Sequence, residues 1–271
     1  MPPPAETEPE PSKDEPLVGE PGDAPSGEKL EPWMDPAEID VIAAFLRPST
    51  VMLEFGSGGS TLHWSKRVAK LYTVEHTPVW RDQVAEGCRQ AGCTNVELLA
   101  FPPDRAAFDR LGCTPRGIYE PSSLPNWCSP NFDPAWREAS TEDRVAVFKD
   151  YIGAAAATGE SRFDVVLVDG RCRGECAIAV LPFIDERSVV LIHDWLLEEE
   201  GIMPGVEQGT APYLAQPGAS AEGFLKLPAR AELPSYKRVL EHYEILAQVS
   251  PETHPGRCTR CGLVALRKKA A

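Results

Sequence analysis

From about residue 32 onward, short β-branched and aliphatic runs alternate with stretches of helical periodicity, the pattern of a parallel sheet covered by helices. The runs that read as strands are Val51–Phe55, Leu71–Glu75, Val96–Leu99, Phe163–Asp169, Ser188–His193, Tyr243–Val249 and Gly262–Arg267. Asp35, Pro36 and Glu38 spell a helix start, with Asp as N-cap, Pro at the first helical position and Glu able to close a capping box. Ile39, Ile42, Ala43 and Leu46 give that helix one apolar face, and Pro48 ends it. A second helix begins at Pro78 and places Val84, Cys88 and Ala91 on one side. Ser140 with Asp143 caps a third that runs to about Ala157.

Three stretches break this rhythm. Residues 1–31 are rich in Pro, Glu, Gly and Ser with one apolar pair, Leu17–Val18, and are expected to be a disordered acidic tail preceding a domain over 32–271. Residues 100–139 hold seven prolines and residues 196–234 are dense in Pro and Gly, so both read as insertions, a length of loop that is usually functional or disordered. Trp127, Phe132 and Trp136 favour partial order in the first.

Composition narrows the classes. At 271 residues and 42% hydrophobic content the chain can bury a substantial core. Its longest apolar runs, such as Val165–Val168 and Val189–Ile192, fall far short of the roughly 18 residues of a bilayer span. No secretory or transit pattern opens the chain, so a cytoplasmic setting is expected, with the eight cysteines reduced. The formal charge is −14, and half of it sits in residues 1–31, where nine acids face Lys13 and Lys29. Clustered cations are few and short, as at Lys268–Lys269, which argues against nucleic acid as a partner.

The candidate chemistry begins at Val51-Met-Leu-Glu-Phe-Gly-Ser-Gly-Gly-Ser-Thr61, a strand that runs through a glycine-rich turn into a helix. Such a turn lets backbone pass close to a ligand and presents helix N–H groups to it. Gly56 and Gly58 fit GxGxxG, but Thr61 stands at the third glycine, which weakens a nicotinamide or flavin reading. Glu75, at the end of the next strand, lies where an acid would accept hydrogen bonds from ribose hydroxyls.

With these residues in place the chain, from roughly Pro32 to Lys269, resembles the class I S-adenosylmethionine-dependent methyltransferases. Glu54-Phe-Gly-Ser-Gly-Gly-Ser-Thr61 is similar to their first motif, Thr73-Val-Glu-His76 to their second, Phe163–Arg171 with Arg173 and Cys176-Ala to the fourth strand of a bacterial-type branch, and Val189–Trp195 to its fifth. The resemblance implies a Rossmann-like three-layer α/β sandwich whose sheet is mostly parallel, seven-stranded, and closed by an antiparallel last strand. It implies that Glu54, Gly56, Ser57, Gly58, Gly59, Ser60, Thr61, Glu75 and Asp169 form the S-adenosylmethionine site, with Glu54 supporting the methionine end. Ala100-Phe-Pro-Pro103 follows the third strand where many members carry a polar residue for adenine.

Asp169, His193 and Asp194 end the fourth and fifth strands and are expected to converge at the reacting methyl group. Asp169 and Asp194 could hold Mg²⁺, as in catechol-type O-methyltransferases, although Trp195 stands where those enzymes carry Asn. Alternatively His193 acts as a metal-free general base. Arg171 or Arg173 could bind an acidic group. Trp127, Trp136, Tyr213 and Tyr151 are candidates for lining the pocket of a small-molecule acceptor. His254, Cys258 and Cys261 form an H-x3-C-x2-C pattern without an evident fourth zinc ligand, so they read as a hairpin loop with free thiols. The rival functions are a noncatalytic methyltransferase-like binding module and a nucleotide-cofactor oxidoreductase.

Overall fold

In a computed structural model of the chain, residues 31–112, 139–195, 234–249 and 262–270 are described. The strands are β1 (Val51–Phe55), β2 (Lys70–Glu75), β3 (Val96–Ala100), β4 (Val165–Val168), β5 (Val189–His193), β6 (Tyr243–Val249) and β7 (Leu263–Lys268). Each end falls within two residues of its expected place. They form one sheet in the order β3-β2-β1-β4-β5-β7-β6, parallel from β3 through β5, with β7 antiparallel to both neighbours.

The helices are α1 (Pro36–Phe45), α2 (Gly59–Ser65), α3 (Pro78–Gln90), α4 (Arg105–Arg110), α5 (Thr141–Val147), α6 (Lys149–Ile152), α7 (Arg173–Ala179) and α8 (Pro234–His242). β4 and β5 are buried along their whole length, as strands covered on both faces must be. Alternate residues feed two cores. Leu53, Phe55, Val166, Val168, Val190 and Ile192 point to one face, where they pack with Phe148, Tyr151, Cys176 and Val239 of the helices after β3. Met52, Val165, Leu167, Val189 and Leu191 point to the other, against Ala37 and Ile42 of α1 and Trp64 of α2.

Two local expectations change. The helix expected from Ser140 to about Ala157 starts as foreseen, with Ser140 Oγ accepting from Asp143 N–H at 3.1 Å, but breaks into α5, α6 and a 3-10 turn over Ala154–Thr158. Phe148 leaves helical geometry at φ −107°, ψ 22°, and the bend lets Val147, Phe148, Tyr151, Ile152, Ala154 and Ala155 all reach the sheet. The insertion placed at 100–139 contains α4, capped by Asp104, whose Oδ1 accepts from Ala107 N–H at 2.8 Å, with Ala107 and Phe108 buried.

The expected tail, apart from Glu31, lies outside the described residues, as do most of both insertions. Trp127, Phe132, Trp136, Tyr213, His254, Cys258 and Cys261 fall there too. Among the described residues, no helix is long and apolar enough to cross a membrane.

The C-terminal strands are tied to the rest at α7. Tyr243, buried, donates its hydroxyl hydrogen to the Ala177 carbonyl at 2.5 Å. Tyr243→Phe is expected to cost about 1–2 kcal/mol in urea unfolding with an unchanged m-value, because it leaves that buried carbonyl unpaired. An unmoved midpoint would show that the bond contributes nothing.

Candidate cofactor and active site

The strand order reverses between β1 and β4, since β2 and β3 extend from one side of that boundary and β4 and β5 from the other. The crevice at the carboxyl ends of these strands is the switch point at which open α/β sheets bind ligands. Three strand tips are knitted together there. Gly56 N–H donates to the Val74 carbonyl of β2 at 2.8 Å, and Asp169 N–H donates to the Phe55 carbonyl of β1 at 2.8 Å. Gly56 has φ +94°, and a Cβ on it would lie 2.9 Å from the Asp169 carbonyl carbon and oxygen. Both the conformation and the space require glycine.

The turn that follows is organised by two buried carboxylates. Glu75, only 3% exposed, accepts from the Ser57 N–H at 3.1 Å and the Ser57 hydroxyl at 3.0 Å through Oε2, and from the His76 and Thr77 amides at 2.9 and 2.8 Å through Oε1. Burial acts to raise its pKa, but the neighbouring His76, the Thr77 amide and the Ser57 hydroxyl together hold it below the ordinary value. Glu54 lies beneath the turn, fully buried, accepting from the hydroxyls of Ser60 and Thr61 at 2.6 Å each and of Thr73 at 2.8 Å. It pins α2 to β1 and β2. Burial pushes its pKa up from 4.5 to about 7 against the pull of those hydroxyls, with the Asp169 charge adding to the rise.

Gly58 is the N-cap of α2 and donates its N–H to Thr61 Oγ1 at 3.0 Å; Gly59, buried, opens the helix against the Glu31 backbone. Trp80, unmarked by sequence reasoning, donates its indole N–H to the Ser57 carbonyl at 2.6 Å and lies 3.9 Å from where a Gly58 Cβ would sit. Its position two residues inside a Pro-started helix was the available signal. Tyr151, expected to face the site, packs beneath it, edge-on to Phe55 and with its hydroxyl against Gly170.

Asp169, His193 and Asp194 do converge. His193 Nδ1 lies 2.7 Å from Asp169 Oδ1 and 3.9 Å from Asp194 Oδ1, while its Nε2 lies 3.2 Å from Glu38 Oε2 of α1. Arg173 Nη2 is 2.8 Å from Asp194 Oδ2 and 3.6 Å from Asp169 Oδ1. Burial of the His193 ring acts to lower its pKa, but Asp169, Asp194 and Glu38 outweigh burial and hold it well above the ordinary value. Asp194 within this cluster and Cys172 beside it take the left-handed backbone region at φ 54° and 49°, a conformation non-glycine residues adopt at a cost and one that gathers at functional sites. Arg171 sits half-buried on the same loop.

This donor set does not suit the Mg²⁺ expected on Asp169 and Asp194. The ligand atoms of Asp169, His193 and Asp194 lie within 4.8 Å of one another. A magnesium ion, however, needs near-octahedral oxygens at about 2.1 Å. Here both carboxylates are already engaged, Asp169 by the His193 imidazole and Asp194 by the Arg173 guanidinium, because Arg173 opens α7 just beyond the loop that leaves the β4 tip.

The sheet order with its reversed β7 is the architecture that the resemblance implied. The chain has a Rossmann-like α/β fold with a mostly parallel seven-stranded sheet. No family model matches it, and no curated protein does. Among solved structures it is similar to a methyltransferase-like protein from Silicibacter pomeroyi, at 21% identity over 89% of each chain with TM-score 0.49. It is also similar to a Streptococcus mutans protein provisionally assigned as a methyltransferase and solved with SAH, at 9% identity over 86% of this chain and 98% of that one, TM-score 0.44. An rRNA methylase from Streptococcus thermophilus matches at 9% identity over 85% and 93%, TM-score 0.44.

Two outcomes test the geometry. Gly56→Ala is expected to cost more than about 2 kcal/mol in denaturant unfolding, since it adds backbone strain to a steric overlap; a loss below that would show that the β1 and β4 tips part easily. For Glu54, a folded pKa of about 7 above an ordinary 4.5 means that its contribution to stability is full below pH 4.5 and is lost as pH rises through about 7. The melting temperature of Glu54→Gln relative to wild type should therefore climb across that window. A pH-independent difference would mean that Glu54 is ionised throughout.

Proposed function

We propose that this protein binds S-adenosylmethionine across the β1–β4 switch point and transfers its methyl group to a small-molecule acceptor. The observation that carries the reading is the direction of the turn's amides. Those of Gly56, Ser57 and Gly58 are spent on the Val74 carbonyl, the Glu75 carboxylate and the Thr61 hydroxyl, so none of these three is available to cradle a phosphate. Glu75 and Asp169 flank the same turn. A dinucleotide's pyrophosphate would meet those carboxylates at a cost of about 3 kcal/mol per charge pair at ~6 Å and an effective dielectric of about 20. A sulfonium bearing an amino acid carries no phosphate and brings positive charge to an acidic site.

The bound cofactor supplies an electrophilic methyl group whose transfer leaves the carbon–sulfur bonding pair on sulfur. Glu75 receives ribose hydroxyls once the Ser57 hydroxyl rotates away, because its four acceptor positions are otherwise filled. Asp169, with 23% of its side chain exposed, faces the cofactor's ammonium. Trp80 shields the edge of the turn. Of the three residues read as catalytic, Asp169 and Asp194 keep exposed carboxylate surface, whereas both nitrogens of His193 are committed. His193 is therefore a fixed cation rather than a base, and a proton released by the acceptor passes to a carboxylate or to solvent. Catalysis rests on alignment and desolvation.

Calorimetry decides this. S-adenosylmethionine should bind and NAD⁺ should not, and Asp169→Asn should weaken binding by about tenfold or more, the value of a charge-assisted hydrogen bond. Release of S-adenosylhomocysteine with a panel of phenols, carboxylates and sugars would identify the acceptor. Uptake of NAD⁺ in place of the sulfonium nucleotide would overturn the proposal; uptake without turnover on any acceptor would favour a binding module.

A further inference from the structure

We propose that Glu38, on the first helix and outside the cofactor motifs, is a positioning residue that acts through His193 to hold the Asp169 carboxylate at the cofactor site. The inference rests on the cofactor reading above, in which Asp169 meets the ligand. Glu38 is 1% exposed, although a capping-box glutamate completes its task at the surface. Its Oε2 does accept from Asp35 N–H at 2.8 Å, but the same oxygen lies 3.2 Å from His193 Nε2, and Oε1 is buried with no hydrogen-bond partner among the described residues. A helix cap alone is worth about 1 kcal/mol, less than the desolvation of a carboxylate, so burial at this position needs a second return.

That return is a continuous charged chain. From α1 comes Glu38, from β5 His193, from the β4 tip Asp169 and from the β5 tip Asp194, with Arg173 of α7 paired to the two aspartates; among the described residues the carboxylates are the charged groups against the ring. A neutral imidazole has one donor and one acceptor, whereas two carboxylates offer only acceptors. Both contacts are attractive only for an imidazolium. Glu38 thus keeps the ring doubly protonated, and the ring holds Asp169 through its 2.7 Å contact. Without the far carboxylate, Nδ1 could present a lone pair to Asp169 and push it from its place.

The test combines ¹⁵N-histidine NMR with cofactor calorimetry on the full chain, using His193→Gln to assign the ring among the five histidines. In wild type the His193 ring should carry protons on both nitrogens at about pH 8, and S-adenosylmethionine affinity should be flat from about pH 6. In Glu38→Gln the ring should deprotonate within that interval, and affinity should fall about tenfold across it while matching wild type within about threefold at its acid end. A structural role for Glu38 would lower the melting temperature and leave the pH profile of affinity flat, which would overturn the proposal. So would a neutral His193 ring in wild type, a measurement that stands even if the variant fails to fold. Wild type that keeps the doubly protonated ring but takes up no S-adenosylmethionine would sink the cofactor reading, and this role with it, while leaving the ion chain itself supported.

Discussion

The close approach of two backbones at the β1–β4 boundary governs the rest of the site. With Gly56 in contact with the Asp169 carbonyl, the first strand must turn at once, and the fourth must release its aspartate beside that turn. The hydrogen bonds from Gly56 to Val74 and from Asp169 to Phe55 bring in β2, so Glu75 arrives at the same end of the sheet. Gly170, against which the Tyr151 hydroxyl is pressed, keeps the loop after Asp169 equally tight. Three strand tips are thereby fixed by backbone alone, and the side chains inherit their positions.

Around this boundary the protein buries three glutamates, and each is accommodated by different chemistry. Glu54 meets only hydroxyls, which stabilise a negative charge too weakly to offset burial, so its pKa climbs to about 7. Glu75 meets amides and a histidine and stays ionised. Glu38 meets an imidazolium. Negative charge is accordingly weakest under the glycine turn and strongest at the β2 and β4 tips, where a ligand would lie.

Much of the fold was readable because its central strands β4 and β5 are buried on both faces and so appear as unbroken aliphatic runs such as Val165–Val168. The glycine turn and Glu75 were readable because their spacing is local. What escaped was of two kinds. The break at Phe148 and the helix over Arg105–Arg110 come from tertiary packing against the sheet, which propensity and proline density do not register. Glu38 escaped for a subtler reason: the helix cap explains it completely at short range, while its pairing with His193 spans 155 positions. Strand parity held the missing signal. Val189 and Leu191 pack on the face covered by α1, so His193, two residues on, must emerge on that face as well.

The internal saturation of the site also constrains where affinity can originate. Exchanging the Ser57 hydroxyl for a ribose hydroxyl on Glu75 trades one hydrogen bond for another and contributes little net free energy. In the proposed complex, contact of the adenosyl group with Trp80 and the attraction of positive charge to Asp169 would be what remain. In the proposed complex the sulfonium contributes to that second term until the methyl group leaves, after which sulfur is neutral. The acidity of the β4 and β5 tips would therefore favour the cofactor over its demethylated product, so the same charge that selects the cofactor would ease the product's release.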